Sequence, residues 1–315
     1  MILTITPNPL LDYKIFSSDN HPSGGTRVAH IPYTVGGKGI NVARMLKTFG
    51  RPALALSFAG GGNGERMSAE LKQQSIPAKF IRSSAETRMG IELFSSSPGN
   101  HRWWIEDGEE LKEPEILAML DLIDDEAGSA SIVAMSGTIP GRSNQDFYRR
   151  VLERLRSFKG EIYLDARGEP LRQACEAGGF FLKHNRDEAL ETFGLDPFCE
   201  GQGADFFGHL EKFGIWGAMI TNGRGKVILW DGRVVFEFMP APAAEICAVG
   251  CGDATLAGFV YGRRNGMSLQ ESAVLGLAAG AADAEKSGPC EAEYNEIYDK
   301  INKVSLVKKT EIFRV

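Results

Sequence analysis

Short runs of apolar, β-branched residues alternate along the chain with longer stretches in which apolar residues recur every three or four positions. The short runs predict buried strands at residues 2–5, 53–57, 131–135, 161–164, 179–182 and 216–220. The longer stretches predict helices at residues 40–49, 64–74, 114–127, 145–158, 170–177 and 205–213. Strands that alternate with helices predict an α/β fold, with a mostly parallel central sheet and helices on both of its faces.

Two segments break this alternation. Residues 13–35 and 88–106 are extended and punctuated by turn residues, which predicts antiparallel strands. Because open α/β folds bind ligands at the carboxyl edge of the sheet, we expect these segments to form a small β-sheet lid there. A hairpin is predicted around Asp231-Gly232, followed by helices at residues 252–264, 269–284 and 293–303. No linker interrupts the pattern, so the sequence predicts one domain over residues 1–315.

The composition is that of an ordinary globular protein, with 43% hydrophobic and 24% charged residues. The net charge of −6 and the dispersed Lys and Arg residues argue against binding to nucleic acid or to an anionic membrane. The sequence contains no run of about 18 apolar residues, so it predicts no membrane span. The five cysteines are scattered, odd in number and without a Cys-x-x-Cys pair, which favours a reduced, cytoplasmic environment.

The stretch AVGCGDATLAGF, residues 248–259, places glycines directly before a small-residue helix. The amides around Gly250 and Gly252 are therefore expected to face an anion, commonly a phosphate. Asp253 follows at once, and two like charges about 4 Å apart repel by roughly 4 kcal/mol at an effective dielectric constant near 20. Two interpretations stay open. Asp253 either takes a proton from a hydroxyl that attacks a bound phosphoryl group, or it only stabilises the first turn of the helix.

A second glycine-rich turn, GGKG, carries Lys38 and leads into a predicted helix with Asn41 in its first turn. Asn8 and Asp12 follow the first predicted strand. Neither turn has the spacing of a P-loop, and a dinucleotide fingerprint would need a small residue where Thr255 stands. Together these groups supply carboxylate and amide side chains for sugar hydroxyls, and backbone N–H groups with a cation for an anion.

At these motifs the chain resembles the PfkB, or ribokinase-like, family of carbohydrate kinases, and most of all its 1-phosphofructokinase and tagatose-6-phosphate kinase branch. The signature G-G-K-G-x-N-V-A-R matches residues 36–44 fully. The late signature G-A-G-D-x-x-x-A-G matches residues 250–258, with Cys251 in place of Ala. Weaker matches to family motifs lie at residues 4–12, 136–141, 164–168, 183–188 and 221–225. The resemblance implies a ribokinase-like fold.

For the nucleotide half of the site, the resemblance implies a kinase that uses ATP and Mg²⁺. The catalytic residues would be the general base Asp253 and an anion hole formed by Gly250, Cys251 and Gly252. Asn185 and Glu188 would organise Mg²⁺ through water, although Glu188 also suits the first turn of a helix. The contacts to ATP would come from Lys183, Asn185, Thr221, Gly223 and Gly225.

For the acceptor half, the resemblance implies two groups of residues. The sugar hydroxyls would be held by Asp12, Gly37 and Asn41. A phosphate already on the sugar would be held by Lys38, Arg27 and Arg88. The two arginines come from the predicted lid, where the alternative is that they are solvated surface charges.

The function implied is transfer of the γ-phosphoryl group of ATP to a hydroxyl of a phosphorylated ketohexose, such as fructose 1-phosphate, fructose 6-phosphate or tagatose 6-phosphate. One alternative is a kinase of an unphosphorylated sugar or nucleoside, which would leave the three cations nothing to neutralise. Another is a non-catalytic sensor of sugar phosphate or nucleotide, motivated by Cys251 and by a loop near Pro140 that is one residue shorter than in the family.

Two further features bear on partners and on the acceptor. The adjacent Trp103 and Trp104 of the predicted lid predict a homodimer that forms through the lid. The alternative is that one of the two is buried within its own chain and the other is half exposed. Gly90 stands where the branch carries Asn, and His184 stands where the family carries Pro. These departures bear on the identity of the sugar more than on phosphoryl transfer.

Overall fold

A computed structural model describes residues 1–17, 29–95 and 102–311 of the 315-residue chain. Its strands are β1 (Ile2–Thr6), β2 (Leu10–Ser17), β3 (Tyr33–Gly36), β4 (Leu54–Ala59), β5 (Ala78–Arg82), β6 (Arg88–Ser95), β7 (Arg102–Ile105), β8 (Ile132–Ser136), β9 (Glu161–Asp165), β10 (Phe181–Asn185), β11 (Gly217–Thr221), β12 (Val227–Trp230), β13 (Val234–Met239) and β14 (Ser305–Glu311). Its helices are α1 (Lys38–Thr48), α2 (Gly61–Gln73), α3 (Glu113–Ala127), α4 (Phe147–Arg154), α5 (Glu169–Ala177), α6 (Arg186–Phe193), α7 (Gly203–Lys212), α8 (Cys251–Arg264), α9 (Leu269–Asp283) and α10 (Tyr294–Ile301).

Within these described residues the main sheet has ten strands, in the order β14-β13-β12-β11-β10-β9-β8-β1-β4-β5. From β5 to β11 all neighbours run parallel, as the alternation of strands and helices predicts. The predicted hairpin forms β12 and β13, which continue the sheet in antiparallel fashion, and β14 pairs with β13 at that edge. The predicted mostly parallel α/β sheet is confirmed.

Helices cover both faces of the main sheet, because side chains alternate along its buried strands. In β8, Ile132 and Ala134 belong to one hydrophobic cluster, whereas Val133 and Met135 belong to another on the opposite face. Helices α1, α2, α8, α9 and α10 pack on the first face, and helices α3 to α7 pack on the second. In the part of the chain that is described, no helix has the length and apolar character needed to cross a bilayer.

A separate small sheet, in the order β3-β2-β6-β7, is built from the two segments that break the alternation. Its outer pairs, β2 with β3 and β6 with β7, are antiparallel as predicted, but its central pair, β2 with β6, is parallel. The fully antiparallel arrangement expected from the sequence is therefore wrong. β2 and β6 follow β1 and β5, which end at the same edge of a parallel sheet, so both strands leave that edge in one direction.

Four elements differ from the sequence prediction. β5, α6 and β14 were not predicted. The helix predicted at residues 145–158 is shorter, since α4 covers Phe147–Arg154 and a single 3₁₀ turn, Leu155–Ser157, follows it.

Candidate active site

The loop before α8 has the geometry of an anion-binding turn. Gly250 has a left-handed backbone with φ of 87°, and a Cβ added there would lie 2.4 Å from Pro289 Cβ, so only glycine fits without strain. α8 begins at the next residue, and the first N–H groups of a helix have no intrahelical acceptor. This N-terminus can therefore bind an anion.

The side chain of Cys251 contributes little to this turn. Its Sγ donates to the carbonyl of Cys247 at 3.5 Å, and its backbone N–H lies 3.4 Å from the carbonyl of Ala248. Burial raises the pKa of the Cys251 thiol to about 12, so the group stays protonated at neutral pH. At the next position, a Cβ on Gly252 would lie 2.6 Å from Lys183 Nζ, so glycine there leaves room for the ammonium group.

Asp253 is buried in the first turn of α8, with 5% of its surface exposed. Its Oδ2 accepts a hydrogen bond of 2.8 Å from Asn41 Nδ2, a residue on α1. Burial raises the pKa of Asp253 to about 6, against the opposing effects of the Lys38 charge and the Asn41 hydrogen bond. A carboxylate with a pKa just below neutrality is well suited to accept a proton at physiological pH.

Four charged side chains meet next to this turn. Lys38 Nζ lies 2.7 Å from Asp165 Oδ1 and 3.3 Å from Glu188 Oε1. Lys183 Nζ lies 3.4 Å from Asp165 Oδ2. Asp165 lies at the carboxyl end of β9 and is fully buried. It forms ion pairs with two ammonium groups, that of Lys38 on α1 and that of Lys183 on β10.

The charges of this cluster support one another. Burial by itself would raise the pKa of Asp165, but Lys183 and Lys38 outweigh it and hold that pKa well below its usual range. Burial opposes the charge of Lys38 as well, but Asp165, Glu188 and Asp253 together raise its pKa above the ordinary value. Burial and the charge of Asp165 would raise the pKa of Glu188, but the charges of Lys38 and Lys183 outweigh them and lower it. All three groups are therefore charged at neutral pH.

The predicted acceptor residues lie around the start of the small sheet. Asp12 is buried on β2, opposite Thr34 of β3 and Gly90 of β6. Gly37 is the N-cap of α1, with φ of 122°. Lys38 and Asn41 follow it on α1, where they contact the charged cluster and Asp253.

Only one of the two predicted lid arginines lies in the part of the chain that the structure describes. Arg27 lies outside the described residues. Arg88 is on β6, and its guanidinium donates to the carbonyls of Glu106 and Asn8, both at 2.9 Å. Burial lowers the pKa of Arg88 to about 10, so it stays protonated, and its Nε has no hydrogen-bond partner among the described residues.

Arg88 also lines a cavity of about 790 Å³ between the small sheet and the loops that follow β8 and β9. Arg142 and Arg167 are further cations in its wall, which also carries four carboxylates, those of Glu106, Asp107, Glu110 and Glu191. Arg167 lies 3.5 Å from Glu191. The guanidinium of Arg142 has no hydrogen bond or ion pair to any described residue. Neither Arg142 nor Arg167 was singled out from the sequence.

A second cavity, of about 650 Å³, opens at the α8 N-terminus. Several predicted ATP residues line it, namely Lys183, Asn185, Thr221 and Gly223, together with Cys251 and Gly252. Gly225 is placed in the adjoining turn, where its N–H donates to Asn222 O at 2.7 Å, but it does not form part of the described cavity wall. The cavity wall also includes apolar residues, among them Leu277, Ala281 and Ala284.

Asn185 and Glu188, the predicted metal pair, form a capping box at the start of α6. Glu188 N–H donates to Asn185 Oδ1 at 2.8 Å, and Asn185 N–H donates to Glu188 Oε2 at 2.9 Å. Among the described residues there is no cluster of three His, Cys, Asp or Glu side chains able to hold a metal ion. Mg²⁺ commonly binds through one or two carboxylates plus substrate phosphates and water. The ionised carboxylates of Glu188 and Asp165, which contact the cavity residues Asn185 and Lys183, fit that mode.

Asp165 and Arg44 are two residues of the site whose roles were not predicted. Asp165 lies in one of the weaker motif matches, residues 164–168, and its position at the end of a parallel strand was the available signal. Arg44 ended the fully matched motif, and its guanidinium lies 2.7 Å from Asn41 Oδ1. Asp165 matters through its contact with the distant Lys38, and Arg44 through the contact of its neighbour Asn41 with the distant Asp253.

A buried carboxylate, a helix N-terminus that can bind an anion and a cavity that opens at that N-terminus are suited to transfer of a phosphoryl group. The chain matches the model of the pfkB family of carbohydrate kinases over residues 9–295, so it belongs to this family. The family resemblance predicted from the motifs is confirmed, and the protein is a carbohydrate kinase.

Relatives with assigned names agree with this membership. The chain is 29% identical to 1-phosphofructokinase of Borreliella burgdorferi over 292 residues, which cover 92% of this chain and 94% of that protein. It is 31% identical to ATP-dependent 6-phosphofructokinase isozyme 2 of Mycobacterium tuberculosis over 291 residues, which cover 89% and 83%. The crystal structure of phosphofructokinase-2 from Escherichia coli with fructose 6-phosphate matches with a TM-score of 0.84 at 20% identity, over 96% of this chain and 98% of that one. The last comparison supports the fold.

Proposed function

We propose that the protein is an ATP-dependent kinase of the phosphofructokinase type, which transfers the γ-phosphoryl group of ATP to a hydroxyl of a phosphorylated ketohexose. The observation that carries this proposal is the position of Asp253, which is buried beside an anion-binding helix N-terminus and has its pKa raised to about 6. The two relatives with assigned names, a 1-phosphofructokinase and a 6-phosphofructokinase, support the acceptor class.

In the proposed reaction Asp253 accepts the proton of the attacking hydroxyl. The backbone amides of Gly250, Cys251 and Gly252 stabilise negative charge on the transferring group, in a site where fixed dipoles need no reorganisation. Lys183, whose ammonium group lies against Gly252, adds a positive charge at the same place. These groups offset the repulsion between Asp253 and the phosphoryl group.

We propose that ATP occupies the cavity of about 650 Å³ lined by Lys183, Asn185, Thr221 and Gly223, with Gly225 shaping the adjoining turn. Mg²⁺ would neutralise phosphate charge there, held through water by Glu188 and Asn185. Residues 1–315 would act as one domain, in which the small sheet is the lid that excludes water from the site.

On the acceptor side, Asp12, Gly37 and Asn41 would bind the sugar hydroxyls. Lys38, Arg27 and Arg88 would hold the phosphate that the sugar already carries. Arg142 and Arg167 line the same cavity as Arg88, although the carboxylates of Glu106, Asp107, Glu110 and Glu191 line it as well.

The proposal predicts that, with ATP and Mg²⁺, a phosphorylated ketohexose is turned over far better than its unphosphorylated parent. A charge-assisted hydrogen bond contributes about 1.5 to 3 kcal/mol, so losing even one should lower kcat/KM by at least about tenfold. The measurement is coupled ADP release with fructose 1-phosphate, fructose 6-phosphate and tagatose 6-phosphate, each beside the free sugar, and with ribose and a nucleoside.

Two outcomes would reject this acceptor class. A preference for ribose or for a nucleoside would identify a kinase of unphosphorylated acceptors. Binding of ATP and sugar phosphate without turnover by any acceptor would identify a sensor. The control is the Asp253→Asn variant, which separates ADP released by this enzyme from ADP released by a contaminating one.

We also propose that the protein forms a homodimer through the small sheet. Trp103 and Trp104 on its edge strand β7 are both exposed, at 60% and 57%, and Phe16 on β2 is exposed at 62% and stacks on Phe94. An edge strand with exposed large apolar side chains is unfavourable in a monomer, because it can pair with other chains. A second copy of the same sheet would cover both features.

Replacing Trp103 and Trp104 together by Glu is expected to convert a dimer into a monomer, because the charges would have to be buried in the interface. Sedimentation equilibrium measures the mass of both forms. The matched control is Tyr298→Glu, an aromatic residue that is 63% exposed on α10, a helix that packs against α9. A wild-type monomer, or a double variant that remains dimeric, would contradict the proposal.

A cytoplasmic location is the remaining prediction about the protein's setting. All five cysteines are free thiols, three of them buried. Free thiols persist where the environment is reducing, and this supports the prediction.

A further inference from the structure

Arg44 connects the proposed catalytic base to the small sheet. On α1, its Nη1 donates to Asn41 Oδ1 at 2.7 Å, and its Nη2 donates to the carbonyl of Val35 on β3 at 2.6 Å. Its Nε lies 3.4 Å from Gln74 Oε1. The guanidinium therefore has acceptors on three sides, from α1, from the small sheet and from the end of α2.

The contact between Arg44 and Asn41 decides which way the Asn41 amide faces. Arg has five N–H donors and no acceptor, so Asn41 must turn its oxygen towards Arg44. An ionised carboxylate has acceptors only, so Asn41 must turn its NH₂ group towards Asp253. A single orientation satisfies both neighbours, and in it Asn41 Nδ2 donates to Asp253 Oδ2 at 2.8 Å.

The same contact selects the oxygen of Asp253 that is available for chemistry. Because Oδ2 is occupied by Asn41, Oδ1 is left without a hydrogen-bond partner among the described residues. If the amide were reversed, Asn41 Oδ1 would face the carboxylate and repel it. The base would then lose both its orientation and the hydrogen bond that opposes its protonation.

We propose that Arg44 is a positioning residue for phosphoryl transfer, which fixes the amide of Asn41 and so holds Asp253 with one oxygen presented to the acceptor hydroxyl. The inference rests on the proposed role of Asp253 as general base. The position of Asp253 is thereby linked to the small sheet, because Arg44 donates a hydrogen bond to the carbonyl of Val35, directly before the Gly36-Gly37 turn. A shift of β3 relative to α1 would disturb the guanidinium and, through Asn41, the base.

The charged groups around Asp253 determine how the proposal is tested by pH. Lys38 on α1, Asp165 on β9 and Lys183 on β10 all influence its charge. Arg44 lies near Asp253 as well as near Asp283, Glu291 and Cys290. A test must therefore separate the positive charge of Arg44 from its hydrogen-bond geometry.

Two substitutions make that separation. Arg44→Gln removes both the charge and the forked pair of hydrogen bonds to Asn41 and Val35. Arg44→Lys keeps the charge but cannot form those two hydrogen bonds in the same planar geometry. We expect both variants to lower kcat by about 10- to 100-fold, the effect of misplacing a reacting group, with little change in KM for ATP. We also expect the acid limb of the kcat/KM profile to move to higher pH in both. Full recovery in Arg44→Lys would overturn the proposal, because charge alone would then suffice.

A double-mutant cycle tests whether Arg44 acts through Asn41. If it does, the loss in Arg44→Gln/Asn41→Ala equals the loss in Asn41→Ala alone, whereas independent roles give multiplied losses. The matched control is Gln74→Met, which removes the third contact of Arg44 and leaves the fork intact. It should keep kcat within about twofold. Multiplied losses, or an unchanged kcat and pH profile in Arg44→Gln, would refute the positioning role.

A measurement without substrates keeps this inference separate from the proposed function. The carboxyl carbon resonance of Asp253, assigned by its absence in Asp253→Asn, can be titrated by NMR in the ligand-free protein. We expect it to titrate at higher pH in Arg44→Gln and Arg44→Lys than in the wild type or in Gln74→Met. If no acceptor is turned over, the proposed function fails while this titration still supports or refutes the Arg44–Asn41–Asp253 contact.

Discussion

Replacing Asp253 by Asn is expected to lower kcat by about two to four orders of magnitude, with KM for ATP nearly unchanged. The amide keeps the shape of the side chain but cannot accept the proton of the attacking hydroxyl, and a positioned general base contributes about 10²- to 10⁴-fold. In the wild type, kcat/KM should fall as pH drops below about 6, the pKa to which burial raises this carboxyl group. Steady-state kinetics between pH 5 and pH 8 measure both effects.

The same substitution should make the protein more stable. An Asp titrates near pH 3.9 in an unfolded chain, so a folded pKa of about 6 means that the charged form costs up to about 3 kcal/mol at pH 7. The neutral amide of the Asp253→Asn variant carries no such penalty. Since the penalty disappears as the carboxyl protonates, the gain in the free energy of unfolding should fade between about pH 6 and pH 4. Urea unfolding at pH 7 and pH 4 would show it.

Asp205→Asn is the matched control, because Asp205 is also a first-turn acid, on α7. Loss of an acid that only stabilises a helix N-terminus lowers stability by about 0.3 to 1 kcal/mol. If Asp253→Asn behaved in the same way and kept its turnover, Asp253 would be no more than a first-turn acid.

The second large effect is expected for Asp165→Asn, which should lower the free energy of unfolding by about 3 to 5 kcal/mol. Asp165 is fully buried and lies between Lys38 and Lys183, so its loss leaves a buried ammonium group without its counterion. Breaking a buried pair by removing one partner typically has this cost. Urea denaturation at pH 7 gives the measurement, and kcat should fall as well because both ammonium groups lose their position.

The pH dependence gives this prediction a defined sign. Because the pKa of Asp165 is lower in the folded protein than in the unfolded chain, its contribution is complete above about pH 4 and is lost as pH falls further. The difference between wild type and Asp165→Asn should shrink accordingly. Asp121→Asn, which breaks an exposed pair with Arg154, should cost at most about 1 kcal/mol. Equal effects at the two positions would contradict the central role of the buried cluster.

The interior of the fold was predictable and its edges were not. Strands β1, β8 and β10 are buried on both faces, so their apolar runs stand out from the sequence. β5 and β14 lie at the two edges of the main sheet, and every residue of β14 is exposed. An edge strand has little to bury, so its composition does not differ from that of a loop. α6 was not predicted for a related reason, because a capping box and charged residues define this helix more than an apolar stripe does.

The site shows the same division between local and distant information. Gly250 and Asp253 could be found because a turn and a helix start are local features of the chain, whereas Asn185 was assigned through its resemblance to a family motif. The contacts of Lys38 with Asp165 and of Asn41 with Asp253 join residues separated by 127 and 212 positions. Such pairs arise from how the sheet is assembled, and a single sequence carries no record of them. Arg44 depends on one of these pairs for its role and was therefore missed.

The position of β1 at the centre of the main sheet has a consequence for folding kinetics. Ile2 pairs with Ile132 on one side, and Leu3 pairs with Leu54 on the other. β1 therefore acquires one of its neighbours only after some 130 further residues have left the ribosome. Pairing over such separations is slow, because loop closure must come before the contacts that reward it. Until β8 has been synthesised, β1 is an apolar strand with an open edge that can pair with other chains. When the protein is overproduced, we therefore expect aggregates to form from nascent chains and not from the folded enzyme.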